Sequence, residues 1–128
     1  MGYNVDCFKK FEIKNKMDYS GDFTFEMVDY ENGDFIYPSS ISEIYQLMER
    51  HGLEFDLVPN LGEVYLESLS LREAKVIAKR MIKPEECLEF ITKHSLLDKV
   101  EVEIPDCLIT LQNIIKRWKD GFYVIRTY

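Results

Sequence analysis

Residues 23 to 37 read Phe23-Thr24-Phe25-Glu26-Met27-Val28-Asp29-Tyr30-Glu31-Asn32-Gly33-Asp34-Phe35-Ile36-Tyr37. Phe23, Phe25 and Met27 alternate with Thr24 and Glu26, a period of two that lines apolar side chains along one face of a strand. Asn32-Gly33 is a pair that tight hairpin turns favour, because both residues tolerate positive φ. Phe35-Ile36-Tyr37 then reads as the returning strand, so the stretch predicts a β-hairpin. Upstream, Tyr3, Val5, Cys7, Phe11 and Ile13 keep the same period, with Lys9 the one break, and predict an earlier strand.

Downstream the period lengthens. Pro38-Ser39-Ser40 leads into Ile41, Ile44, Tyr45 and Met48, spaced as one helical face, with Ser40 and Glu43 as a capping box and Gly52 as the stop. Leu53, Phe55 and Leu57 alternate again, Pro59-Asn60-Leu61-Gly62 turns the chain, and Glu63 to Glu67 reads as a returning strand. Ser70 and Glu73 make a second capping box before Leu71, Ala74, Ile77, Ala78 and Met81. Pro84 opens a short helix with Cys87, Phe90, Ile91 and His94 inward. Val100, Val102 and Ile104 alternate with glutamates as a half-buried strand. Pro105 then starts a helix with Leu108, Leu111, Ile115 and Trp118 on one face, ending at Asp120-Gly121. Phe122 to Tyr128 forms the last strand.

The expected order is βββαββααβαβ. Hairpin-linked early strands predict an α+β fold, with a mainly antiparallel sheet of about five to seven strands and about four helices packed on it. The final strand, helix and strand could add one parallel pair. No repeat or Pro/Gly/Ser-rich linker divides the chain, so residues 1 to 128 are expected to form one domain. At 46% apolar and 13% aromatic residues, the composition supports a core of ordinary size.

Composition narrows the chemistry. Cys7, Cys87 and Cys107 are odd in number with no CxxC pair, so they read as free, buried thiols in a reducing, cytoplasmic setting. The first ten residues show no basic start followed by an apolar stretch, and Asp6 spoils a myristoylation pattern. Cys107 to Ile115, the longest weakly polar stretch, is far too short for a membrane span. Phosphate-cradling glycine loops, zinc-protease, serine-hydrolase and EF-hand motifs are absent, and no catalytic residue, metal site or cofactor is expected.

Weaker constellations have ordinary explanations. Asp56 with Glu73-Ala74-Lys75 has the spacing of a metal-dependent nuclease core, but that core needs its second carboxylate on a strand, and Glu73 follows a helix cap. Glu101 and Glu103 fit a solvated sheet face, and Asp29, Glu31 and Asp34 lack a calcium-loop pattern. A thiol paired with His51 or His94 has no flanking signature, and both histidines sit where a cation suits a helix C-terminus.

Charge placement is the unusual feature. The formal charge is −7, yet residues 1 to 16 and 72 to 128 each carry a net +2. Residues 17 to 71 hold twelve acidic side chains and one basic one, Arg50, for a net −11. Unrelieved like charge destabilises a compact state, and one use for it is to meet a basic surface. The expected function is therefore a non-enzymatic inhibitor, of immunity or anti-defence type, that covers a basic, nucleic-acid-binding surface of a partner protein and does not itself bind nucleic acid. Asp18, Asp22, Glu26, Asp29, Glu31, Asp34, Glu43 and Glu49 would stand in for phosphates, with Tyr19, Tyr30 and Tyr37 as aromatic anchors. Two competing expectations stand beside it. In the first, cations of the C-terminal half fold over the segment and neutralise it. Alternatively, the chain is an enzymatic or small-molecule-binding subunit assembled as a homodimer through residues 122 to 128, with Arg126 as an anion ligand.

Overall fold

A computed structural model describes residues 4–17, 22–62 and 66–127. Along the chain run strands β1 (Asn4–Phe8), β2 (Lys10–Asn15), β3 (Phe23–Val28) and β4 (Glu31–Asn32), then helices α1 (Pro38–Arg50), α2 (Leu71–Arg80), α3 (Pro84–Lys93) and α4 (Leu96–Glu103). A 3₁₀ turn (Pro105–Cys107), helix α5 (Leu108–Lys119) and strand β5 (Tyr123–Thr127) complete it. The class is α+β, with five strands in two antiparallel sheets and five α-helices among the described residues.

β1 lies at the centre of a three-stranded sheet, between β4 and β5, and both of its faces are buried. Its pairing runs from Asn4 opposite Thr127 to Phe8 opposite Tyr123. On one face Val5, Cys7 and Val124 pack against α1, α3, α4 and α5, through Ile44, Leu47, Phe90, Val100, Leu111 and Trp118. On the other face Phe8 and Ile125 meet Phe25 of the β2–β3 hairpin, Leu69 of the segment bridged to Phe23, and Ala74 and Ile77 of α2. The Phe8 ring stacks on Tyr123 at 5.4 Å and meets Phe25 edge-on at 5.8 Å, both favoured ring geometries. The sheet therefore separates two apolar cores.

The hairpin differs from its expected register. β3 pairs with β2, from Lys10 opposite Val28 to Asn15 opposite Phe23, and not with Phe35 to Tyr37. Period two identifies a strand but cannot choose its neighbour. Asn32 instead joins the edge of β1, and the Gly33 N–H donates to the Val5 carbonyl at 3.0 Å. A Cβ at position 33 would stand 2.6 Å from Val5 Cγ1, so the glycine serves close backbone approach and not a positive φ. Phe35 is left-handed, at φ 61°, which ends any extended run there.

Other expectations change too. The first strand divides at Lys9, because Val5 and Cys7 belong to one core and Phe8 and Phe11 to the other. Residues 53 to 57 are irregular, and their neighbours Pro59 and Leu61 bond the backbone of Arg126. Of the expected strand Glu63 to Glu67, residues 63–65 lie outside the described residues; Leu66 and Glu67 form a turn. Val100 to Glu103 is helical and Ile104 only caps that helix: Leu96 and Val100 are buried one turn apart, whereas Val102 is 81% exposed. That spacing fits both periods, and the helical one prevails. With this strand gone, no parallel strand pair forms among the described residues, only an isolated bridge from Asn60 to Arg126.

α1 begins at Pro38, so Ser40 lies inside the helix, buried, and the Ser40–Glu43 capping box does not form. Proline at the first position suits a helix start without it. The second box forms fully: the Glu73 N–H donates to Ser70 Oγ at 3.1 Å, and the Ser70 N–H to Glu73 Oε1 at 3.0 Å. Gly52, at φ 68°, ends α1 as expected. All three cysteines are free and buried. No described helix is long and apolar enough to cross a membrane.

Candidate functional site

The acidic segment is partly neutralised in space. Arg117 of α5 pairs with Glu31, Arg80 of α2 stands 3.7 Å from Asp56, and Lys14 of β2 lies 2.8 Å from Glu26. The Ser68 hydroxyl donates to Asp22. Arg50, the segment's own cation, turns away to Glu103 at 3.6 Å. Asp18 and Tyr19 lie outside the described residues.

Asp29, Asp34 and Glu49 remain exposed, with no side-chain hydrogen bond or ion pair among the described residues. Glu43 is exposed and accepts from the Cys107 thiol, sulfur to oxygen 2.9 Å. Burial raises that thiol's pKa, and the hydrogen bond to Glu43 raises it further. Glu43, Gln46 and Glu49 share the outer face of α1, opposite Ile41, Ile44 and Met48 in the core. Beyond the N-terminus of this helix come Asp34, Phe35 and Tyr37. The uncompensated acid therefore gathers on the loop after β4 and the outer face of α1, a smaller surface than residues 17 to 71 as a whole.

Aromatic side chains are exposed on either side of β4. Tyr30 is half exposed, but its hydroxyl serves the fold, donating to Asp6 Oδ1 at 2.5 Å, a bond that helps push its pKa up to about 12. Tyr37 is half exposed, and Phe35 is 67% exposed. A bulky residue that is left-handed and open to water is costly on both counts, and such outliers cluster where binding needs them. α5 holds the loop in place. Asn113 Nδ2 donates to the Phe35 carbonyl at 3.1 Å, the Tyr37 N–H to Thr110 Oγ1 at 3.4 Å, and Arg117 to the Asn32 carbonyl at 3.1 Å. Phe35 was read from the sequence as a strand residue. The available signal was the unbroken run Phe35-Ile36-Tyr37, of which only Ile36 is buried.

Two open clefts flank the loop, of about 360 Å³ beside Asp34, Phe35 and Lys116, and about 680 Å³ beside Lys9, Asp29 and Tyr30. Both mix acidic and basic walls. The other constellations do not assemble. Asp56 accepts from the Tyr45 hydroxyl at 2.8 Å, Glu73 is in its capping box, and Glu101 and Glu103 lie on a helix. His51 Nε2 lies 2.5 Å from Glu103 and lowers its pKa, while His94 packs on the Phe90 ring, so neither histidine meets a thiol. Among the described residues no three His, Cys, Asp or Glu side chains are grouped to hold a metal ion. Arg126 lies over the Tyr45 ring at 4.9 Å and donates to the Val58 carbonyl at 3.0 Å. The outer edge of β5 meets Pro59 and Leu61 at this residue. The chain matches no protein-family model, no curated protein and no solved structure.

Proposed function

We propose that this chain is a small non-enzymatic binding protein, an inhibitor of immunity or anti-defence type, that covers a basic, nucleic-acid-binding surface of a partner protein. The contact face is Asp34, Phe35 and Tyr37 together with Glu43 and Glu49 on α1. The observation that carries this reading is Phe35, two-thirds exposed and left-handed, next to Asp34 and just before α1, whose outer carboxylates Glu43 and Glu49 make no ion pair among the described residues. An exposed aromatic ring flanked by carboxylates supplies what such an interface needs. The ring contributes buried apolar area at its centre, and the like charge steers a basic surface into contact. Asp29 and Glu31, beside Lys9 and Arg117, border the face and do not form its centre. Three free, buried thiols suit a reducing, cytoplasmic setting.

The test is a pull-down with tagged chain from source-cell lysate at low salt, repeated with competing DNA. Recovery of a basic nucleic-acid-handling protein that DNA displaces, and that Phe35→Ala fails to retain, is the expected result. Capture that is indifferent to DNA and to Phe35 would remove the basis of the proposal.

A further inference from the structure

Four of the chain's sixteen basic side chains lie on α2. Residues 71 to 83 carry five basic side chains and one acidic. Ala74 and Ile77 face the core; Arg72, Lys75, Val76 and Lys79, spaced three and four apart, form one outward stripe beside Leu71. Leu71 and Val76 are each about half exposed, 52% and 50%. Arg72, Lys75 and Lys79 make no ion pair among the described residues. The five side chains line an open groove of about 540 Å³. The stripe is cationic with an apolar seam, so its complement is anionic with exposed apolar or aromatic groups. A net charge of −7 repels a nucleic acid.

That complement is present in the chain itself. Asp34, in no ion pair among the described residues, accompanies exposed Phe35 and Tyr37, and the exposed carboxylates Glu43 and Glu49 continue from them along the outer face of α1. We infer that α2 of one copy docks on the acidic–aromatic face of a second copy. Different patches meet in this contact, so it is heterologous, and each copy keeps one free face unless a rotation closes the assembly. Association of this kind covers the face assigned above to a basic partner, which must then displace the second copy. The inference goes beyond that assignment and needs only the purified chain for its test.

Sedimentation velocity of the full chain, from micromolar to millimolar concentration at low and high salt, reads the contact. The expected result is an average mass that rises with concentration at low salt and returns to the monomer at high salt, since the paired charges are exposed and screened. Lys75→Glu/Lys79→Glu and Asp34→Lys/Glu49→Lys should each weaken association at least about tenfold, because every reversed pair becomes repulsive. All four positions are exposed, so neither variant disturbs a core. Mixed in equal amounts, the two variants should associate again, since each then offers the face the other lost. A wild-type chain that stays monomeric at low salt overturns the inference. So does association that either variant retains unchanged, or that mixing fails to restore. Lys75→Glu/Lys79→Glu leaves the acidic face intact and should still capture a basic partner, which separates failure of this contact from failure of the proposed function.

Discussion

Replacing Phe35 tests the local geometry of the binding face through a sign. A Phe side chain presents about 200 Å² of apolar surface, so one that is 67% exposed keeps only about 65 Å² from water. At about 25 cal/mol per Å², truncation therefore forfeits about 1.6 kcal/mol. The left-handed backbone at φ 61° costs a residue with a Cβ about 1 to 2 kcal/mol. Phe35→Ala loses the ring and keeps that strain; Phe35→Gly loses both, at an unfolded-state entropy cost of about 0.4 to 1 kcal/mol. Glycine should thus be more stable than alanine at position 35 by roughly 0.5 to 1 kcal/mol, the reverse of the usual order. By contrast, Phe25→Ala, at 5% exposure, should cost about 3 to 5 kcal/mol. Urea unfolding followed by fluorescence of Trp118, the single tryptophan and a buried one, measures all three. An alanine variant with a higher midpoint than the glycine variant, at equal slope, would refute the left-handed assignment and the reasoning built on it.

Gly33→Ala should destabilise the chain by about 1 to 3 kcal/mol in the same assay, because the added methyl meets Val5 at 2.6 Å and β1 must shift. Asp6→Ala removes the acceptor for the Tyr30 and Thr127 hydroxyls at a site only 8% exposed, and should cost about 1 to 3 kcal/mol. Spectrophotometric titration should then show Tyr30 ionising below its present pKa of about 12. Burial pushes Cys7 up from 9.0 to about 11 and Cys87 to about 12, so the folded state holds its thiol protons longer than the unfolded chain does. Their contribution to stability is complete below about pH 9 and is lost as pH rises toward 11 to 12. Urea midpoints should fall across that window, and fall less in Cys7→Ala/Cys87→Ala.

Local signals in the sequence survived where one physical cause dominated. Ser70 with Glu73 started α2, and Gly52 ended α1, because capping chemistry acts within a few residues. Inward positions of α5, Leu111 and Trp118, followed from spacing alone. What stayed hidden was set by distant partners. Nothing in Phe23 to Val28 says that β2 is its neighbour, and Val100-Glu101-Val102 fits a strand as well as a helix until Leu96 is packed. The acidic segment was legible as a total but not as a surface, since Arg117, Arg80 and Lys14 reach into it from elsewhere in the chain. Phe35, the side chain on which the site turns, took its position from the backbone turn after Gly33 and from Asn113, contacts that periodicity does not contain.

Asp34, Phe35, Tyr37, Glu43 and Glu49 are proposed to form the contact face for a basic partner. Its most direct test is the affinity of the recovered partner for the wild-type chain and for Asp34→Lys/Glu49→Lys, measured across a series of salt concentrations. An affinity that falls steeply with salt for the wild type, and is lost in the variant while its urea midpoint is unchanged, is the predicted result. Equal affinity in the two chains with no dependence on salt would contradict it.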